Sequence, residues 1–198
     1  MIYFRQKRML SIVFLFGLIF ILLDCQRDHF RGSEMPEDII TKDFTLTDQN
    51  GQPFTLSKQK GQVVLMFFGY TFCPDVCPMT LSTFVEVKKG LKEQAKDVKF
   101  VYVTVDPDRD TPERLKNHLV NFDPEFIGLT GDEDTLEKVY NAYGVYHDRN
   151  DVEGSEGVYF MSHTSSIFII DRSGKWRLLF NYGTSKEDMI HDIQLLLK

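Results

Sequence analysis

Cys73 and Cys77 stand in the run GYTFCPDVCP at residues 69–78, each directly before a proline. A thiolate is both a nucleophile and a soft-metal ligand, so a close pair opens three kinds of chemistry. One is a structural disulfide, although closing so short a loop adds little stability. Another is thiol–disulfide exchange, which usually has two residues between the cysteines where this chain has three. The third is a metal site, which needs at least one further ligand. Of the five histidines, His163 is placed to supply it, because it lies just before the apolar run SSIFIID at 165–171. His29 sits in a polar segment. His118 and His191 lie on helix-patterned stretches that can present them to solvent, and His147 opens the polar stretch 147–157, read as a loop. Two thiolates and one imidazole are a low-coordinate, sulfur-rich set that suits Cu(I), with Cu(II) able to bind through the imidazole. Structural zinc takes four protein ligands, and no fourth presents itself. Met79 and Met161 lie close in sequence to these groups and read as packing residues.

The surrounding pattern must bring the three groups together. Residues 43–47 and 53–56 alternate around Asn50-Gly51, a hairpin signal. Residues 62–69 (QVVLMFFG) and 99–105 (KFVYVTV) are continuous apolar runs of buried-strand length. Helical patterns follow at 81–91, at 112 onward with Thr111 as cap and Pro112 at the first position, and at 136–143. Strands at 165–171 and 175–180 flank the turn Arg172-Ser173-Gly174, and Ser185 with Asp188 caps a closing amphipathic helix. The order predicts an α/β domain over 42–198. Its fold would be thioredoxin-like, a mixed central sheet flanked by helices with an added N-terminal β-hairpin. In that fold the loop before the 165–171 strand faces the cysteine turn. The proline that thioredoxin-like enzymes place there is absent, since none follows Pro124. Pro78 reads as the first helical residue after the cysteine turn, which sets the sulfurs near helix-terminal N–H groups that favour thiolates.

The chain of 198 residues is long enough for one domain with a sizeable core. Arg5, Lys7 and Arg8 precede fifteen largely apolar residues at 9–23, about 22 Å of helix against a hydrocarbon core of about 30 Å. Cys25 follows one residue on, after Asp24. Residues 1–25 therefore read either as a lipoprotein signal with Cys25 lipidated or as a short uncleaved membrane anchor. Residues 26–41 read as a polar tether. Beyond residue 23 the chain carries 20 basic against 29 acidic side chains, which excludes a nucleic-acid backbone as partner. Asp106, Asp108 and Asp110 form an acidic turn, read first as turn chemistry and alternatively as a docking face for a cationic partner.

The motifs together resemble the Sco (SenC/PrrC) family of copper chaperones for cytochrome c oxidase assembly. The likeness runs from about Asp43 to the C-terminus. It is carried by GYTFCPDVCP, VDPDRDTPERL at 105–115, FDPEFIGLTG at 122–131 and the single His before SIFIID, 86 residues after the second cysteine. The resemblance implies one copper held by Cys73, Cys77 and His163, in a monomeric domain tethered on the extracytoplasmic (periplasmic) side of a bacterial membrane. The copper would pass to the dinuclear site of cytochrome c oxidase subunit II. A thiol–disulfide oxidoreductase acting on partner cysteines through Cys73 and Cys77 is the alternative. One departure stands out: the family commonly has Asp just before the ligand His, and here that residue is Ser162.

Overall fold

The structure is a computed structural model and describes residues 29–198. Residues 1–25, with Cys25 and the expected signal or anchor, lie outside the described residues. No helix among the described residues is long and apolar enough to cross a membrane.

Among the described residues, ten strands and four α-helices alternate. The strands are β1 (Ser33–Glu34), β2 (Thr45–Asp48), β3 (Pro53–Thr55), β4 (Val63–Gly69), β5 (Val98–Thr104), β6 (Ile127–Thr130), β7 (His147–Asp151), β8 (Tyr159–His163), β9 (Ile167–Ile170) and β10 (Trp176–Phe180). The helices are α1 (Val76–Leu91), α2 (Pro112–Leu119), α3 (Glu133–Tyr143) and α4 (Lys186–Leu197). Eight strands form one mixed sheet in the order β1-β10-β9-β4-β5-β6-β2-β3. The apolar run at 62–69 becomes β4, buried along its whole length at the centre. There it pairs parallel with β5 and antiparallel with β9.

The side-chain alternation of β4 divides the core. Phe67 faces the side that carries Tyr102, where Phe84 of α1 packs on Phe100 and His118 of α2 lies against Tyr102. Phe68 points the other way, edge-on to Tyr140 of α3 and to Phe168. Helices thus cover both faces, which is why β4 and β5 read as unbroken apolar runs. The Asn50-Gly51 turn, the Thr111 cap with Pro112 and the Ser185 cap all form as the sequence predicts.

Three segments differ from expectation. The stretch at 147–157, read as a loop, begins with β7, which pairs antiparallel with β8 and places His147 opposite His163. Its residues HDRND are polar because the two-stranded ribbon stands off the main sheet, so backbone pairing rather than burial makes the strand. The described part of the 26–41 segment is docked, not free. β1 pairs with β10, and Arg31 and Gly32 donate backbone N–H groups to the fully buried Asp192 carboxylate at 2.8–3.0 Å. Helix α1 starts at Val76 rather than Pro78, because a proline in the first turn forfeits only an N–H that has no intrahelical partner.

Candidate metal centre

Strand register determines what meets at one end of the sheet. Phe67 near the end of β4 pairs with Ile167 at the start of β9, so the chain leaving β4 and the chain entering β9 emerge together. The first carries Cys73 and Cys77; the second carries His163. β5 runs parallel to β4 and ends level with Gly69 at Thr104, which delivers the 105–111 turn to the same place. One ligand atom from each of Cys73, Cys77 and His163 lies within 4.8 Å of the other two. Three donors at metal–ligand distances of about 2.0–2.3 Å in a trigonal arrangement would stand roughly 3.5–4 Å apart, so the set fits one small ion.

The parts are held individually. Cys73 is half-buried and Cys77 fully buried, and both are free thiols. The backbone N–H of Cys77, in the first turn of α1, points at the Cys73 sulfur at 3.5 Å. The His163 ring lies edge-on to Phe67 and Tyr70, each at 5.9 Å between centroids. Its Nδ1 is 2.9 Å from the Thr164 carbonyl oxygen, which can only accept, so Nδ1 donates there and Nε2 is the nitrogen turned toward the sulfurs. Nε2 faces Cys77 Sγ at 3.5 Å.

The two sulfurs divide one charge. The Cys77 side chain hydrogen-bonds to Cys73, and with His163 and the N–H groups of Asp75 and Cys77 it pulls the Cys73 pKa down to about 3 against the effect of burial. Cys77 is pushed far up, by its bond to Cys73 and then by burial. The half-exposed sulfur is therefore the thiolate and the buried one its proton donor.

The acidic turn is built inward. Asp110 is wholly buried and accepts from Thr71 N–H at 3.0 Å, Thr71 Oγ1 at 2.6 Å and Thr104 Oγ1 at 2.7 Å, which ties the loop carrying Cys73 to β5. Asp106 accepts from Arg109 Nε at 2.5 Å and from the Tyr159 hydroxyl at 2.7 Å. The docking-face reading of this turn therefore fails for two of its three carboxylates. Arg109 and Arg114 flank the half-exposed Phe72 ring at 4.6 and 4.4 Å, beside Cys73. The sequence offered no pattern for the Asp110–Thr71 and Asp106–Tyr159 contacts, which join residues 39 and 53 positions apart.

The other histidines do not join the three-ligand cluster. His147 pairs with Glu137 at 2.9 Å and His191 with Asp192 at 2.8 Å. His118, expected at the surface, turns inward with a buried Nε2. Met161 packs against the core as expected, whereas Met79 is exposed and its sulfur accepts from the Tyr182 hydroxyl at 3.2 Å. The Ser162 hydroxyl accepts from Asn150 Nδ2 at 3.1 Å across the β7–β8 ribbon.

A family model described as SCO1/SenC matches residues 32–198. An SCO2-like protein of Rickettsia conorii is 38% identical over 148 residues, 75% of this chain and 72% of that one. The copper-bound structure of ScoI from Bradyrhizobium japonicum is 41% identical with a TM-score of 0.73, covering 80% of this chain and 99% of the other. A SCO1/SenC family lipoprotein from Bacillus anthracis is 29% identical with a TM-score of 0.70, covering 86% and 100%.

Proposed function

The chain belongs to the SCO1/SenC family, and from that premise we propose that it carries one copper ion on Cys73, Cys77 and His163 and hands it to a partner protein. The observation that supports this most is the convergence of two sulfurs and an imidazole within 4.8 Å. That donor set favours Cu(I), and the imidazole extends it to Cu(II). The asymmetry of the sulfurs suggests the order of events. Cys73, half-exposed and already a thiolate, meets the incoming ion without first losing a proton. Cys77 and His163 then close on it from below, and the Cys77 proton leaves as the second sulfur–metal bond forms. Delivery runs in reverse, with partner thiolates displacing the exposed sulfur first.

The recipient we propose is the dinuclear copper site of cytochrome c oxidase subunit II. The chain would act as a monomer held to the bacterial envelope by its N-terminal segment, with the domain on the extracytoplasmic side. A second reading, a thiol–disulfide oxidoreductase, is favoured by the same asymmetry: an exposed thiolate backed by a buried thiol is the arrangement of an attacking and a resolving cysteine.

One experiment separates the two. The reduced full chain is loaded with Cu(I) without oxygen and mixed with the copper-free soluble domain of subunit II. The carrier reading predicts one copper retained and then moved to the acceptor, and none retained by a Cys73→Ala/Cys77→Ala chain. Failure to retain copper, with rapid reduction of an oxidised acceptor, would leave the oxidoreductase.

A further inference from the structure

Phe72 stands directly before Cys73 and leaves its ring half-exposed, although the loop that carries it is fixed. Thr71 is buried and tied to Asp110, and the Cys73 N–H donates to the Tyr70 carbonyl oxygen at 3.2 Å. The ring itself is clamped, with Arg109 Cζ 4.6 Å and Arg114 Cζ 4.4 Å from its centroid. The two arginines differ in what they have left to give. Arg109 donates Nε to Asp106 and Nη1 to the Tyr159 carbonyl oxygen at 3.1 Å, and lies 3.5 Å from the Tyr159 ring, so it is a fixed support. The exposed Arg114 guanidinium makes one hydrogen bond among the described residues, from Nε to Thr71 Oγ1 at 3.1 Å, and pairs with no carboxylate. Asp75 and Asp108, the exposed acids of the same two loops, form no ion pair with either arginine. The terminal N–H groups of Arg114 therefore present an open fork of the kind that fits a carboxylate.

We propose that Phe72 and Arg114 form a docking platform for the copper acceptor, and that it takes an acidic segment of that partner lying beside the partner's own cysteines. The proposal rests on the copper-carrier reading and names the surface through which delivery occurs. Cys73 is the more exposed of the two sulfurs, so an incoming thiolate that displaces it arrives beside Phe72. An aromatic ring backed by arginine has the composition of the few residues that carry most of an interface's binding energy. The domain is acidic overall, so an acidic partner is repelled at long range, and Arg114 supplies the local attraction that selects the face bearing the centre. The competing occupant is a second copy of this chain, which would bury the ring in a dimer.

The test is the rate of Cu(I) transfer from the reduced, loaded full chain to the copper-free soluble domain of subunit II, without oxygen, at about 20 and about 500 mM salt. Removal of copper by dithiothreitol, a small thiol with no charge to recognise, is measured in parallel. Arg114→Glu should deliver about tenfold more slowly than wild type at low salt and within about twofold of it at high salt, because screening weakens the charge contact. Phe72→Ala should be about fivefold slower at both, since an apolar contact is not screened. Arg114→Glu should still lose copper to dithiothreitol at the wild-type rate. An Arg114→Glu rate equal to wild type at low salt, or a slowing of equal size at both concentrations, would overturn the proposal. So would a matching change in loss to dithiothreitol, which would place the effect in the centre itself. Self-association of wild type that Phe72→Ala abolishes, with transfer unchanged, would assign the platform to a dimer and overturn it too. Wild type that delivers no copper would defeat the carrier reading and this proposal with it, whereas delivery by wild type and both variants at one rate would defeat the proposal alone.

Discussion

Thiol reactivity offers a quantitative test of the charge division at Cys73. An ordinary thiol with a pKa of 9.0 is about one part in a thousand thiolate at pH 6, whereas Cys73, brought down to about 3, is fully ionised. Absolute speed is a weak discriminator, because nucleophilicity falls with pKa. A Brønsted slope of about 0.45 across that shift costs roughly 500-fold. Against a small aromatic disulfide, Cys73 should therefore react only about twofold faster than a free thiol at pH 6 and roughly 45-fold slower at pH 8. The shape of the profile carries the information. In a chain with Cys25→Ser, leaving Cys73 and Cys77 as the thiols, the rate of first exchange should be flat from pH 8 to about pH 4 and half-lost near pH 3. The sign for stability follows. A group whose pKa is depressed by folding contributes stability above its unfolded value that is lost as pH falls toward 3, while Cys77, shifted upward, withdraws stability above pH 9. His163→Ala removes one of the groups holding Cys73 down, so the fall should move to higher pH. An exchange rate climbing about tenfold per pH unit up to pH 8 would refute the charge division.

The supporting contacts yield further expectations. Asp110→Ala strands three donors in the interior and should cost about 3–5 kcal/mol in urea unfolding of the reduced, metal-free chain, with copper retention lost at the same time. Gly69→Ala must displace Tyr102, Cys77 and Phe67 together, contacts of 2.7–2.9 Å that a core cannot absorb without movement. It should weaken Cu(I) binding relative to wild type, measured by competition with a chromophoric chelator. Asp192→Ala, far from the centre, should lower stability by about 2–4 kcal/mol by unpairing the N–H groups of Arg31 and Gly32, while leaving copper affinity unchanged. A removal of residues 1–34 should lower stability in the same way.

What the sequence disclosed and what it hid divide along physical lines. Local rules gave the elements with strong local causes: the apolar runs of β4 and β5, the Asn50-Gly51 hairpin, and the Thr111 and Ser185 caps. Residue chemistry and spacing picked out Cys73, Cys77 and His163, and the structure brings these three together. The features that were not legible are those made by distant partners. β7 is strand only because β8 lies beside it, and Ser33–Glu34 only because the edge of β10 is open to it. Asp110 reads locally as a turn residue, and its hold on Thr71 exists only once β4 and β5 run parallel. His118 shows the limit of periodicity. Its place on a short polar helix suggested solvent, yet the aromatic pair Tyr102 and Phe122 turns its ring inward, and burial lowers its pKa.

The most direct test of the centre itself is X-ray absorption at the copper edge on the reduced full chain loaded with one equivalent of Cu(I). The predicted result is a three-coordinate ion with two sulfur ligands and one nitrogen, in which His163→Ala removes the nitrogen and keeps both sulfurs. A copper bound by sulfur alone in wild type, or a spectrum unchanged by His163→Ala, would contradict the assignment of His163 and with it the three-ligand site.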